Sequence, residues 1–200
     1  MLIKLAIGLD AFSEYDIHCL SGSFPQEVKD MLSEGLLPKR RREKTLAFHM
    51  VRELLVENGI SKIFPLIDHN KDGQPLLLNL PYHLSISHCK DGICVAIDEY
   101  PIGIDIERVR PFNESLLNRA FSLSERQAIL SAQDSNSEFI RLWTRKEAFL
   151  KQQGLGIRGF DQLQSVPPLS ANLLSIQKEN LWISICSQQS LSESEINAFL

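Results

Sequence analysis

Five charged residues on two short segments carry the chemistry of this sequence. Asp105 and Glu107 lie in Gly103-Ile104-Asp105-Ile106-Glu107. Lys146, Glu147 and Lys151 lie in Trp143-Thr144-Arg145-Lys146-Glu147-Ala148-Phe149-Leu150-Lys151. Three carboxylates and two lysines are an inventory for holding a divalent cation and a polyphosphate while a hydroxyl is activated beside them. Neither segment alone carries that reading; the ordered pair does.

The elements that must position these groups are legible in the same stretches. Residues 102–109 form an apolar, β-branched run, and alternate residues of a strand point to one side. Asp105 and Glu107 then share a face while Ile104 and Ile106 turn to the core. Residues 138–153 lack Pro and Gly and carry Phe139, Ile140, Trp143, Phe149 and Leu150, which suits a helix. Positions four apart on a helix lie roughly 40° apart around its axis. Trp143, Glu147 and Lys151 therefore form one stripe, with Lys146 beside it. Where strand and helix pack together, Glu147 joins the two strand acids.

Such a cluster is unfavourable without a cation. Two carboxylates about 5 Å apart at an effective dielectric of 20 repel by roughly 3 kcal/mol. A hard, oxygen-ligated ion relieves this, and Mg²⁺ binds through a few carboxylates plus substrate phosphates; Mn²⁺ takes the same ligands. The competing reading makes Asp105 and Glu107 a solvated strand face and Glu147-Lys151 a surface i,i+4 ion pair.

Bulk properties exclude some classes. Two hundred residues, 44% hydrophobic, bury a substantial core as one domain or two small ones. A net charge of −4 argues against a general nucleic-acid binder, although Lys39, Arg40, Arg41, Arg42 and Lys44 are packed together. No apolar run approaches membrane-spanning length. The apolar start is short and is followed by Asp10, Glu14 and Asp16, unlike a signal peptide. Cys19, Cys89, Cys94 and Cys186 show no paired metal spacing and read as free thiols of a cytoplasmic protein. A zinc site from His83, His88, Cys89 and Cys94 is disfavoured for the same lack of ligand pairs.

The remaining elements alternate. Residues 2–9 and 15–20 read as strands, 25–34 as a short helix, and 38–58 as a long helix with Leu46, Met50, Leu54 and Leu55 inward. Residues 71–75 read as a turn, and 84–88 with 93–97 as a hairpin across Lys90-Asp91-Gly92. Helices follow near 113–120, 124–132 and 136–153, then strands near 172–177 and 181–187. Strands, helix, strands, repeated once, argue an α+β fold.

A third motif precedes the two acidic ones: Ser85-Ile86-Ser87-His88. With Gly-Ile-Asp-Ile-Glu and Trp-x-x-Lys-Glu-Ala-x-x-Lys in order, the chain resembles the 4′-phosphopantetheinyl transferase superfamily, Sfp type (holo-acyl-carrier-protein synthase-like), over roughly residues 35 to 160. The resemblance implies a pseudodimer of two similar α+β halves, 1–100 and 101–200, with the active site in the cleft between them and the acids on the second half. It implies a monomer that uses coenzyme A as co-substrate and an apo acyl or peptidyl carrier protein as acceptor. No nucleic-acid or membrane partner is expected.

On that resemblance Asp105, Glu107 and Glu147 hold Mg²⁺. Glu147 either takes the proton of the carrier serine or serves only as a metal ligand while metal-bound water takes it. Lys151 neutralises or protonates the departing 3′,5′-ADP. His88 and Ser87 contact the diphosphate, and Lys146 holds a phosphate. Arg41, Arg42 or Lys44 grips the 3′-phosphate; Arg forks match phosphate oxygens. One departure is Gln74, in Gly73-Gln74-Pro75, where many relatives carry lysine; it keeps hydrogen bonding and loses a charge. Trp143 reads as a core anchor for its helix. Two other readings stay open: an Mg²⁺-dependent diphosphate or nucleotide hydrolase, and a non-catalytic module that binds coenzyme A or a carrier protein. The chain has no Walker-type loop.

Overall fold

The strand and helix signals assemble around one short, fully buried strand. The computed structural model describes residues 1–155, 163 and 172–191. Its elements run β1 (Leu2–Ile7), α1 (Glu14–Ser21), α2 (Gln26–Ser33), α3 (Pro38–Glu57), β2 (Ile67–His69), β3 (Pro75–Leu77), β4 (His83–His88), β5 (Gly92–Asp98), β6 (Gly103–Arg108), α4 (Glu114–Ala120), α5 (Leu123–Ser131), α6 (Ser135–Gln152), β7 (Leu173–Lys178) and β8 (Leu181–Cys186). The result is a mixed α+β fold with two sheets.

The first sheet has the order β1-β5-β4-β3-β2 and the second β6-β8-β7, with antiparallel neighbours throughout. Every residue of β5 is buried, which explains its continuous apolar run. Alternate side chains serve two cores. Ile93, Val95 and Ile97 pack under α3 with Leu46, Met50, Leu54 and Leu55. Cys94 and Ala96 face the second sheet with Ile104, Ile106, Ile183 and Ile185. A third core joins α4, α5 and α6 through Phe121, Ile129, Phe139 and Ile140, where Trp143 stacks on Phe139 at 6.4 Å between ring centroids.

One element differs in kind from its expectation. Residues 15–20, read as a strand, form helix α1. Ser13 and Asp16 make a reciprocal cap: the Ser13 amide donates to Asp16 Oδ2 at 2.8 Å, and the Asp16 amide donates to Ser13 Oγ at 3.2 Å. That local signal outweighs the β-propensity of the segment. The strands β2 and β3 were not anticipated, because three residues are too few to display alternation. They flank the expected turn, whose Gly73 has φ +83°.

Two contacts join the sheets and so position the acids. Strand β6 pairs with β8 on one edge. On the other edge the amides of Ile104 and Ile106 donate to Ser85 Oγ (3.0 Å) and Ser87 Oγ (3.3 Å) of β4. Serine hydroxyls thus satisfy buried backbone donors that a neighbouring strand would otherwise take. On the face of β6, α6 crosses at Gly103. A Cβ there would collide with the carbonyl oxygen of Ala148 and stand 2.5 Å from the Gln152 amide nitrogen. Only glycine admits this approach.

Candidate functional site

Because α6 lies against β6, the face carrying Asp105 is closed rather than solvated. Asp105 is 5% exposed. Its Oδ1 accepts two hydrogen bonds, from Ser87 Oγ and from Lys151 Nζ, each at 2.7 Å. Lys151 also donates to the carbonyl of Ile104 at 3.1 Å. The ion pair therefore runs from helix to strand, Lys151 to Asp105, and not along the helix to Glu147. Asp105 Oδ2 is buried and has no hydrogen-bond partner among the described residues.

Glu147, one turn before Lys151, has its pKa raised to about 7. Burial is the main cause; the charges of Asp105 and Glu107 add to it and Lys151 opposes them. Glu107 is pushed up by burial and by Asp105, with Arg110 Nη2 3.9 Å from its Oε2 drawing it back. Glu107 and Glu147 are thus electrostatic neighbours of Asp105, whose charge disfavours theirs. They do not form a closed ligand cage: among the described residues no three His, Cys, Asp or Glu side chains are gathered as a metal-holding group. The donor set nevertheless fits a hard cation. It consists of carboxylate oxygens, one of them buried and unpartnered, in excess over the nearby lysine.

The first sheet brings a second charged group to this edge. His88, at the end of β4, accepts from Arg40 Nη1 at its Nε2, 3.1 Å away. Guanidinium has no acceptor, so Nε2 is the bare nitrogen of a neutral ring and Nδ1 carries the proton. Nδ1 lies 3.8 Å from Glu43 Oε1. Burial pushes the His88 pKa down; Glu43 opposes this, and the charges of Arg40 and Lys151 assist it. Arg40, Glu43, Lys44, Phe48, Asp68 and His88 are among the residues that line a cavity of about 270 Å³.

The basic run divides by helix face. Lys44 lines the cavity, as does Arg40, which the sequence did not single out. Arg41 pairs with Glu14 at 2.6 Å, and Arg42 with Asp10 at 3.3 Å; both turn toward the N-terminal helices. Gln74 reaches α6, where its Nε2 donates to the carbonyl of Lys151 at 3.3 Å while its Oε1 accepts from Asn70. Ser87 points its hydroxyl at Asp105.

Lys146 is not brought to this cluster. It lies on the opposite side of α6, 2% exposed, with Nζ 2.8 Å from Glu125 Oε1 and 5.3 Å from the centre of the Phe121 ring; it also donates to the carbonyl of Leu163. One residue's step around a helix is about 100°, enough to carry Lys146 away from the stripe of Glu147 and Lys151. The four cysteines are free thiols. No helix among the described residues is long and apolar enough to cross a membrane.

Comparison with known proteins places this arrangement in a family. The sequence model of the 4′-phosphopantetheinyl transferase superfamily matches residues 101–197. The chain is 33% identical over 117 residues to the 4′-phosphopantetheinyl transferase psf-1 of Bacillus pumilus, covering 54% of this chain and 50% of that one. It is 30% identical over 149 residues to Sfp of Bacillus subtilis (strain 168), covering 66% of each. It is 33% identical over 153 residues to AcpT of Escherichia coli (strain K12), covering 74% of this chain and 76% of that one. The chain thus spans half to just under two thirds of the length of these two Bacillus relatives. The AcpT match covers about three quarters of both chains, and with it the chain belongs to the 4′-phosphopantetheinyl transferase superfamily.

Proposed function

We propose that this protein transfers the 4′-phosphopantetheine arm of coenzyme A to a serine hydroxyl of an apo carrier protein, with a divalent cation, Mg²⁺ in the first instance. The observation that carries this is the buried Asp105, held at Oδ1 by Ser87 and Lys151 with Oδ2 unpartnered among the described residues, in a chain whose relatives bear the name of that transferase. On this reading the chain divides into two halves, residues 1–100 and 101–200, which is supported by its two separate sheets. Each half contributes a sheet and one long helix, and the reacting groups lie where β4 meets β6.

In the reaction the serine oxygen bonds to the β-phosphorus of coenzyme A. The phosphorus–oxygen bond to the bridging oxygen breaks, and 3′,5′-ADP departs. Glu147 is the base that takes the serine proton, directly or through a water; in the metal-free protein burial and the neighbouring acids raise its pKa to about 7. Asp105, Glu107 and Glu147 are the residues that would hold the cation, which supplies neutralisation of diphosphate charge when bound. Lys151 lies within reach of the same edge and offsets charge on the leaving group. His88, neutral and carrying its proton on Nδ1, donates it to a phosphate oxygen. Arg40 and Lys44 hold the 3′-phosphate at the cavity beside them.

The test separates transfer from hydrolysis. Coenzyme A and Mg²⁺ are incubated with and without an apo carrier protein, and 3′,5′-ADP is measured by chromatography. Release only with the carrier supports transfer; equal release in its absence means that water is the acceptor and the protein is a hydrolase.

A further inference from the structure

Ser87 belongs to the motif that suggests phosphate binding, yet its hydroxyl is engaged inside the protein. Its one proton goes to Asp105 Oδ1 at 2.7 Å, and its oxygen accepts the Ile106 amide at 3.3 Å. Ser87 is 6% exposed. The hydroxyl is fixed at both ends, since one partner must donate and the other can only accept. Lys151 claims the same carboxylate oxygen. Two donors converge on Oδ1 while Oδ2, equally buried, receives none among the described residues. Leaving a buried carboxylate oxygen unpaired is costly, and the asymmetry has a purpose if Oδ2 is the atom offered to a ligand.

We propose that Ser87 is a positioning residue for Asp105: with Lys151 it holds Oδ1 and turns Oδ2 toward the cation. This rests on the divalent-cation reading proposed above. Hydrogen bonds behind a ligating carboxylate fix its orientation, and their loss costs about tenfold to a hundredfold in metal affinity. Ser87 therefore acts on the cation through Asp105 and makes no contact of its own with coenzyme A through its hydroxyl.

The experiment measures Mn²⁺ affinity by electron paramagnetic resonance titration without coenzyme A, and coenzyme A affinity by calorimetry without metal. It uses the wild type, Asp105→Asn, Ser87→Thr and Ser87→Val. Thr and Val share one shape and differ in the hydroxyl; should Ser87→Val misfold, Ser87→Ala makes the same comparison. The expected result is that Ser87→Val weakens Mn²⁺ binding by about tenfold to a hundredfold, that Ser87→Thr stays close to wild type, and that neither changes coenzyme A affinity. If Asp105→Asn loses Mn²⁺ while Ser87→Val binds it as the wild type does, the positioning role is overturned and the cation reading stands. If Ser87→Val loses coenzyme A affinity and keeps Mn²⁺, the hydroxyl is a substrate contact and the proposal fails. If the wild type and Asp105→Asn titrate alike, the cation reading itself fails and takes this role with it.

Discussion

The carbonyl oxygen of Ala148 occupies the space where a side chain at Gly103 would begin. This single approach lets α6 lie on β6 and brings Glu147 and Lys151, neighbours of Ala148 on the same helix, to Asp105, two residues along the same strand. The obstructing atoms are backbone and cannot rotate aside. Gly103→Ala should cost about 3 kcal/mol, the upper end of ordinary overpacking, read from the urea midpoint. An unchanged midpoint would mean that α6 does not need this contact.

The charge state of Glu147 links stability to pH. Its pKa is 4.5 when unperturbed and about 7 in the folded protein. Between those values the unfolded chain has released the proton that the folded chain retains, so raising the pH favours unfolding. The contribution is fully present below pH 4.5 and lost above about pH 7, and is on the order of 3 kcal/mol for the metal-free protein. Glu107 acts in the same direction. Glu147→Gln should remove most of the slope in a series of denaturant titrations. The same slope in the variant would show that Glu147 is ionised and compensated in the folded state.

Lys146 should behave as a structural cation. Its ammonium and the Glu125 carboxylate are buried together at 2.8 Å, and removing one member of a buried pair costs about 3–5 kcal/mol. Lys146→Met should therefore destabilise the protein strongly, and Lys146→Met with Glu125→Met should recover much of the loss. A stable Lys146→Met protein that had lost only coenzyme A affinity would restore the phosphate role that the motif suggests.

Within the basic run, Arg40 and Lys44 should matter for coenzyme A and Arg41 and Arg42 should not, because the former line the cavity beside His88 and the latter do not. A charged hydrogen bond is worth about 1.5–3 kcal/mol, so Arg40→Ala or Lys44→Ala should weaken binding by roughly ten- to hundredfold by calorimetry. Arg41→Ala having the larger effect would place the 3′-phosphate on the other face of α3.

Much of this was legible from spacing, and the failures share a cause. The period of two put Asp105 and Glu107 on one side of a strand, and the period of 3.6 put Glu147 and Lys151 on one stripe of a helix; the structure joins the two elements through Lys151 and Asp105. The same period left Lys146 beside the stripe, and what decides its direction is Glu125, a partner more than a helix away in sequence. Arg40 was hidden among five basic residues until packing against β4 chose a face. The Lys151–Asp105 and Ser87–Asp105 bonds join different elements, which no local pattern encodes. The segment at 15–20 shows the converse case: its cap, Ser13 with Asp16, was in plain view and outweighed the β-branched and aromatic residues after it. Pro167-Pro168, the nearest thing to a linker in the sequence, lies outside the described residues.

The most direct test is the intact mass of an apo carrier protein after incubation with this protein, coenzyme A and Mg²⁺, beside an EDTA control and the Asp105→Ala and Glu147→Gln variants. A gain of one phosphopantetheine group with the wild type and Mg²⁺, absent with EDTA and nearly absent with either folded variant, is the predicted result. An unmodified carrier across acyl and peptidyl types, or full modification by Glu147→Gln, would contradict it.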